Sequence, residues 1–167
     1  MSAQAYPRLA LRPMLPADVP LLAEIFRASI AELTGDDYTE AQQEAWISRA
    51  EDEAEFGKGL AAQLTLVATL EGSPVGFASL EGTDKLGMLY VHPAVAGQGA
   101  GAMLVDGLEK LAGARGAERL AVDASDTAEG FFRKRGYIAQ RRNSVSIGGE
   151  WLANTTMQKQ LTPRATP

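Results

Sequence analysis

Val91-His92-Pro93-Ala94-Val95-Ala96-Gly97-Gln98-Gly99-Ala100-Gly101-Ala102 is the stretch that decides the fold. The apolar run 86–91 enters it as a strand, and His92-Pro93 stops that strand. Glycines at 97, 99 and 101 then open a helix over 99–113, whose apolar positions Met103, Leu104, Leu108 and Leu111 share one face. The first amides of a helix have no partner inside it, and the helix dipole places about half a positive charge there. Glycine lets such a backbone approach a ligand with no Cβ in the way. The segment therefore predicts a cradle for phosphate or pyrophosphate; the plainer reading is a tight entry into a packed helix.

Outward from this loop, the residues alternate between the two periodicities. Arg8–Arg12 reads as a short strand closed by Pro13. Asp18 precedes Leu21, Leu22, Ile25, Phe26, Ile30 and Leu33 at helical spacing, and Gly35 with two aspartates breaks the run. Thr39-Glu40-Ala41-Gln42 is a capping box opening a second helix that carries Ala45, Trp46 and Ala50. Strands 63–70 and 75–81 form a hairpin about Glu71-Gly72-Ser73-Pro74. After the helix 99–113 come a strand at 119–123 and a helix at 127–135, capped by Ser125 or Asp126 and ended by Gly136. Strands 137–147 and 151–160 flank Gly148-Gly149. Only 86–91, 99–113 and 119–123 form a strand–helix–strand unit, which makes parallel neighbours. The expected class is mixed α+β: a mostly antiparallel central sheet with one parallel pair and about four helices. One domain over 8–161 is expected, with 1–7 and 162–167 as loose termini.

Composition narrows the chemistry. The 167 residues contain no cysteine, which excludes a disulfide scaffold, a thiol nucleophile and a Cys-based metal site. One histidine, His92, excludes a His-cluster zinc site, so no metal is expected. The net charge of −5 lacks the basic footprint of a nucleic-acid binder. No apolar run approaches 18 residues, and the start lacks a basic stretch followed by an apolar one. The expectation is a soluble cytoplasmic protein with no nucleic-acid or membrane partner.

Two ligand classes compete for the glycine loop. Gly97-x-Gly99-x-x-Ala102 fits the loose dinucleotide fingerprint, with Asp123 in the range of a ribose-binding acid. That fingerprint belongs directly after its strand within repeated β-α-β units, whereas here a loop intervenes and strands expected to be antiparallel come first. Coenzyme A also presents a pyrophosphate and needs no such repeats. A nucleoside triphosphate loop is excluded, because no Gly-Lys-Ser/Thr follows.

At this point the chain resembles the GNAT superfamily of N-acetyltransferases. Leu89-Tyr90-Val91-His92-Pro93 is similar to the family's strand followed by x-Pro. Gly97-Gln98-Gly99-Ala100-Gly101 resembles the core of its pyrophosphate loop, and Ala128 with Phe131-Phe132-Arg133-Lys134-Arg135-Gly136-Tyr137 resembles its A-x-x-x-Tyr-Glu-Lys-x-Gly-Phe helix end. Tyr38-Thr39, Gln43, Trp46, Val122-Asp123-Ala124-Ser125, Gly149-x-Trp151, Asn154, Met157 and Lys159 resemble the YafP-like branch. Two departures stand out: Ala96 where the family has Arg or Gln, and Phe132 where many members carry the tyrosine that protonates the leaving thiolate.

The resemblance implies a GNAT-like acyl-CoA N-acyltransferase fold in which the parallel pair splays and acetyl-CoA lies in the gap. It implies direct transfer of the acetyl group to a small amine. Free main-chain amides near Leu89 and Val91 would then bind pantetheine and polarise the thioester, with Tyr90 also on the cofactor side, and Gly97, Gln98, Gly99, Ala100, Gly101 and Ala102 would hold the pyrophosphate. Ser125 is implied as a pantetheine contact and catalytic candidate. Glu81, Asp84 and Asp123 are candidates for the base, of which Asp84 is carried forward, and Tyr137 is the hydroxyl worth testing for the leaving thiolate. Tyr38, Trp46 and Phe56 border the acceptor site. The alternatives are a GNAT module that binds acyl-CoA with little turnover and, on element order less favoured, a dinucleotide enzyme. The chain is expected to act as a monomer or as a homodimer joined through the edge of 137–160.

Overall fold

The sheet is decided in the middle of the chain, where β2 (Leu64–Leu70) and β3 (Ser73–Glu81) are apolar on both sides. Strand residues point alternately to opposite faces. Leu66, Ala68, Ala78 and Leu80 therefore join one core and Val67 and Phe77 the other. A sheet covered on both faces explains why every residue from Thr65 to Thr69 is buried, where a half-solvated strand would alternate. In the computed structural model, residues 8–161 are described; the expected loose termini, 1–7 and 162–167, lie outside the described residues.

The remaining elements are β1 (Leu9–Pro13), α1 (Val19–Leu33), α2 (Glu40–Ile47), α3 (Glu53–Ala61), β4 (Lys85–Val91), α4 (Ala100–Ala114), β5 (Arg119–Ser125), α5 (Glu129–Lys134), β6 (Ile138–Ile147) and β7 (Glu150–Gln160). Seven strands form one sheet in the order β1-β2-β3-β4-β5-β7-β6. Every neighbouring pair is antiparallel except β4–β5, the expected parallel pair. On one face α4 packs Leu104, Val105 and Leu108 over Leu66, Ala78, Leu80 and Leu120, and Phe132 and Tyr137 close that core. On the other, Leu22, Phe26 and Ile30 of α1 meet Phe56 and Leu60 of α3 over Val67 and Phe77.

The capping box forms as read: the Thr39 hydroxyl accepts the Gln42 amide at 3.1 Å, and Gln42 Oε1 accepts the Thr39 amide at 2.8 Å. The second helix ends sooner than its sequence suggests. It stops at Ile47, a 3-10 turn carries Ser48–Ala50, and a third helix that the sequence reading did not expect begins under an Asp52 cap. Gly57 and Gly59 lower the helix propensity of Glu53–Ala61, so packing of Phe56 and Leu60 sets that element rather than local preference. No helix among the described residues is long and apolar enough to cross a membrane.

Asp18 pins β1 to the start of α1. Its carboxylate accepts from both terminal nitrogens of Arg12, at 2.7 and 2.8 Å, and from the Leu15 amide at 2.8 Å. The Arg12 hydrogen bond holds this carboxyl below its usual range, although burial pushes the other way. Replacement Asp18→Asn should lower unfolding free energy by about 1–3 kcal/mol in urea near neutral pH. Because the folded carboxyl is the stronger acid, its contribution is complete above the unfolded value of about 3.9 and disappears as pH falls through the depressed folded value. The gap between the parent chain and D18N should thus narrow with acid; a gap that widens as pH drops would refute this account.

Candidate active site in the splayed sheet

β4 and β5 touch for only two rungs, Lys85↔Ala121 and Leu86↔Val122. Directly after them the β3–β4 register shifts, from Leu80↔Leu86 to Ser79↔Met88, so Gly87 is the extra residue of a bulge. A bulge bends its strand, and here β4 turns away from β5. A Cβ at Gly87 would lie 2.7 Å from Gln63 Oε1 and 2.9 Å from Ser79 Oγ, so a side chain there would have to displace both groups. The sequence reading passed over Gly87; a lone glycine inside an apolar strand was the available signal.

The result is a cleft of about 730 Å³ running from Glu81 and Lys85 at its closed end to the 97–102 loop at its open end. The His92 amide donates to Val75 of β3 at 2.8 Å. Antiparallel alternation then turns the amides of Leu89 and Val91 into the gap and that of Tyr90 toward β3. Tyr90 contributes its side chain to the cleft.

At the open end Gly97 and Gly99 adopt φ of +78° and +97°, where a side chain is strained, and neither has an atom within 4 Å of an added Cβ. The first intrahelical bond of α4 is Met103 N–H to Gly99. Among the described residues the amides of Gly97, Gly99, Ala100, Gly101 and Ala102 have no backbone acceptor. The Gln98 amide is different: it donates to Val95 at 3.2 Å, and Gln98 does not line the cleft. Gln98, expected among the pyrophosphate-binding residues, thus differs from its neighbours in having its amide spent.

Ser125 closes β5 and lines the cleft, with Oγ accepting the Ala128 amide at 3.1 Å and no described residue accepting its proton. Tyr38 and Trp46 line it from the helical side. The Tyr38 hydroxyl is saturated, donating to Ala153 O at 2.6 Å and accepting the Asp126 amide at 2.9 Å. Trp46 Nε1–H donates to the Tyr90 hydroxyl at 3.1 Å. Burial pushes that hydroxyl up to about 12, against the Trp46 hydrogen bond and the Arg49 charge, so it stays protonated. Phe56 is packed in the core and does not reach the cleft.

Two catalytic candidates are placed elsewhere. Asp84 sits in the β3–β4 turn with its carbonyl accepting the Ala121 amide at 2.9 Å, beside a separate depression lined by Thr83 and Gln158. It lies beyond the closed end because the β4–β5 rungs come between it and the gap. The Tyr137 ring is buried against Phe132, and its hydroxyl donates to Glu109 at 2.9 Å. Burial, then the Glu109 carboxylate, push it far up. Of the other acids, Asp123 lines the cleft but accepts from Thr156 at 2.6 Å and pairs with Lys85 at 3.2 Å. Burial raises its carboxyl, and these bonds outweigh that and hold it below the usual range. Glu81 lines the cleft with no ion-pair partner among the described residues. His92 Nδ1 accepts the Ala94 amide and serves the turn. Arg133 and Arg135 pair with Glu129 and Asp106.

Comparison with known proteins bears on this arrangement. Residues 34–161 match the family model described as an acetyltransferase (GNAT) domain. The chain is 30% identical over 151 residues to the uncharacterized N-acetyltransferase YafP of Escherichia coli (strain K12), covering 90% of this chain and 95% of that one. It is 61% identical to the crystal structure of a GCN5-related N-acetyltransferase, "Aminotransferase, Class-II", from Rhodopseudomonas palustris, with a TM-score of 0.91 over 96% of this chain and 99% of that one. PaiA N-acetyltransferase from Thermoplasma acidophilum, solved in complex with coenzyme A, shares the fold at a TM-score of 0.75 and 19% identity, covering 92% of this chain and 99% of that one.

Replacing Tyr137 with Phe should separate packing from chemistry. The loss of its bond to Glu109, which also accepts from Lys159 at 2.9 Å, should cost about 1–3 kcal/mol in a urea titration. Turnover in the cleft should not change; a large loss of rate in a folded Y137F protein would return Tyr137 to the site.

Proposed function

The chain belongs to the GNAT acetyltransferases, and from that premise we propose that it transfers the acetyl group of acetyl-CoA directly to a small primary amine. The observation that carries the reading is the row of unspent amides at Gly97 and Gly99–Ala102, on a strand–loop–helix whose parent strand leaves its partner after two rungs. Those donors, with the helix dipole behind them, suit a pyrophosphate. The amides of Leu89 and Val91 suit the extended amide groups of pantetheine, which can run along β4 as a strand would. The residues present thus fit coenzyme A, and acetyl-CoA supplies the activated acyl group.

In the reaction the amine nitrogen bonds to the acyl carbon, the carbon–sulfur bond breaks, and the amine gives up a proton while the sulfur gains one. A main-chain donor of β4 aimed at the developing oxyanion would lower the barrier; loss of one such donor typically costs about 10²–10³ in rate. Glu81 is the proposed base, since it lines the cleft and Asp123 is engaged with Lys85 and Thr156. Phe132 offers no hydroxyl, so the proposed hydrogen-bond donor toward the departing sulfur is Ser125, whose proton no described residue accepts. Site and family together favour a transferase over a dinucleotide enzyme. Cytoplasmic localisation and a monomeric or homodimeric state remain part of the proposal.

Acetyl-CoA should raise the melting temperature with a concentration dependence that NAD does not reproduce. Gly99→Val should remove that response, because Gly99 is left-handed and its Cβ would enter the open space before the amides. A circular dichroism spectrum checks that the variant is folded, and unchanged calorimetric binding by it would defeat the cradle. Glu81→Gln should lower turnover by about 10²–10⁴ and leave acetyl-CoA affinity intact. Equal rates for both proteins would remove Glu81 as the base.

A further inference from the structure

The helical side of the cleft is rich in unspent hydrogen-bond donors and poor in acceptors. Among the ionised groups that line the cleft, Lys85 and Asp123 neutralise one another at 3.2 Å, and Glu81 stands at the closed end. That leaves Arg49, on the turn between α2 and α3, as the one ionised side chain among the described residues that lines the helical side. Its guanidinium makes no hydrogen bond or ion pair among the described residues, whereas Arg12, Arg27, Arg135 and Arg142 all hold carboxylates.

Neutral donors accompany it. The Tyr90 oxygen already accepts Trp46 Nε1–H at 3.1 Å, so its own proton must point elsewhere, and no described residue takes it. Ser29 on α1 is 8% exposed, lines the cleft, and has no side-chain partner among the described residues. Asn154 lines it too; its Oδ1 accepts from Asn143 at 2.9 Å, which leaves the amide nitrogen to donate. The neighbouring Tyr38 hydroxyl and Thr34 hydroxyl are both spent within the protein. Donors clustered in a partly buried cleft call for an acceptor-rich, anionic group, and a guanidinium fits a carboxylate with two parallel bonds. A polycation would meet Arg49 with no carboxylate on that side to answer it.

We infer that the amine acceptor also bears a carboxylate, as an amino acid does, and that Arg49 with the Tyr90 and Ser29 hydroxyls binds this group. Trp46, Leu33 and Leu152 on the same wall give an apolar side chain of such an acceptor somewhere to lie. The inference rests on the transferase reading and extends it to the class of acceptor.

The test is thiol release from acetyl-CoA by the full chain. The acceptors are the twenty L-amino acids, the amines that remain when their carboxylate is removed, spermidine and kanamycin. At least one amino acid should be acetylated, with kcat/KM at least about tenfold above its decarboxylated counterpart. Arg49→Gln should raise KM for that amino acid about tenfold or more, change kcat little, and shrink its advantage over the amine, with Arg49→Lys intermediate. Preference for a decarboxylated amine, spermidine or kanamycin overturns the inference, as does a selectivity ratio that R49Q leaves untouched. If none of the acceptors is acetylated while acetyl-CoA still raises the melting temperature, the acceptor class falls and coenzyme A binding stands. If acetyl-CoA does not bind, both fall.

Discussion

Two rungs of parallel ladder, Lys85↔Ala121 and Leu86↔Val122, are the constraint on which the molecule turns. Parallel strands of seven residues each would ordinarily satisfy one another along their whole length. Here β5 is committed to β7 by pairing from Arg119↔Gln160 to Ser125↔Asn154, and β4 to β3 from Lys85 to Val91. Neither strand can swing across to close the gap without breaking a full antiparallel ladder. The bulge at Gly87 fixes the angle at which they part. Backbone donors along such an opening must be met by water or by a bound molecule, so the sheet itself carries a standing demand for an extended, acceptor-rich ligand.

The helix behind the gap completes that demand. α4 packs on the same core as β4 and β5, and its first turn comes to rest at the open end with its amides bare. The opposite wall is held by polar ties rather than by sheet. Tyr38 joins the loop after β5 to β7 through one hydroxyl, and Gln42 Nε2 donates to Trp151 O at 2.8 Å. These bonds fasten α2 and the loop before it to β7. Phe26, Phe77 and Trp46, each with its ring centroid 4.7–6.3 Å from that of Tyr90, stiffen the wall behind them.

What the sequence made legible is what short-range chemistry dictates. The capping box at Thr39, the hairpin about Glu71-Gly72, the apolar face of α4 and the glycine loop each declare themselves within a dozen residues. The α3 helix does not, because Gly57 and Gly59 weaken its propensity and its stability comes from where Phe56 and Leu60 are buried. Where the structure sets candidate residues away from the cleft, or turns them in it, the reason is topology. Asp84 precedes β4 by one residue, yet the parallel rungs lie between it and the gap. Tyr90 sits in the right strand, but strand parity turns its amide toward β3 and leaves its side chain in the cleft. Tyr137 follows the correct helix end, and its ring goes to the core because Phe132 and Glu109 receive it. Arg49 and Ser29 have no local signature at all, since their meaning depends on which groups they lack.

The departures from the family's pattern can be weighed on the same terms. Ala96 is exposed at the loop, and its methyl removes a side-chain donor while the five main-chain amides beside it are untouched. A site whose grip is backbone tolerates such a loss better than one built on side chains, because no substitution short of proline removes a main-chain donor. Phe132 is a different matter, since a phenol is a group only a side chain supplies. With a buried ring in that place, the proposed donor toward the sulfur becomes a hydroxyl that remains in the cleft, Ser125. Tyr90 is held neutral and weakly acidic by its burial, which suits a fixed hydrogen-bond donor better than a proton source. The division that follows from the proposed reaction is physical: main chain would hold the donor substrate, and side chains on the helical wall would choose what it meets.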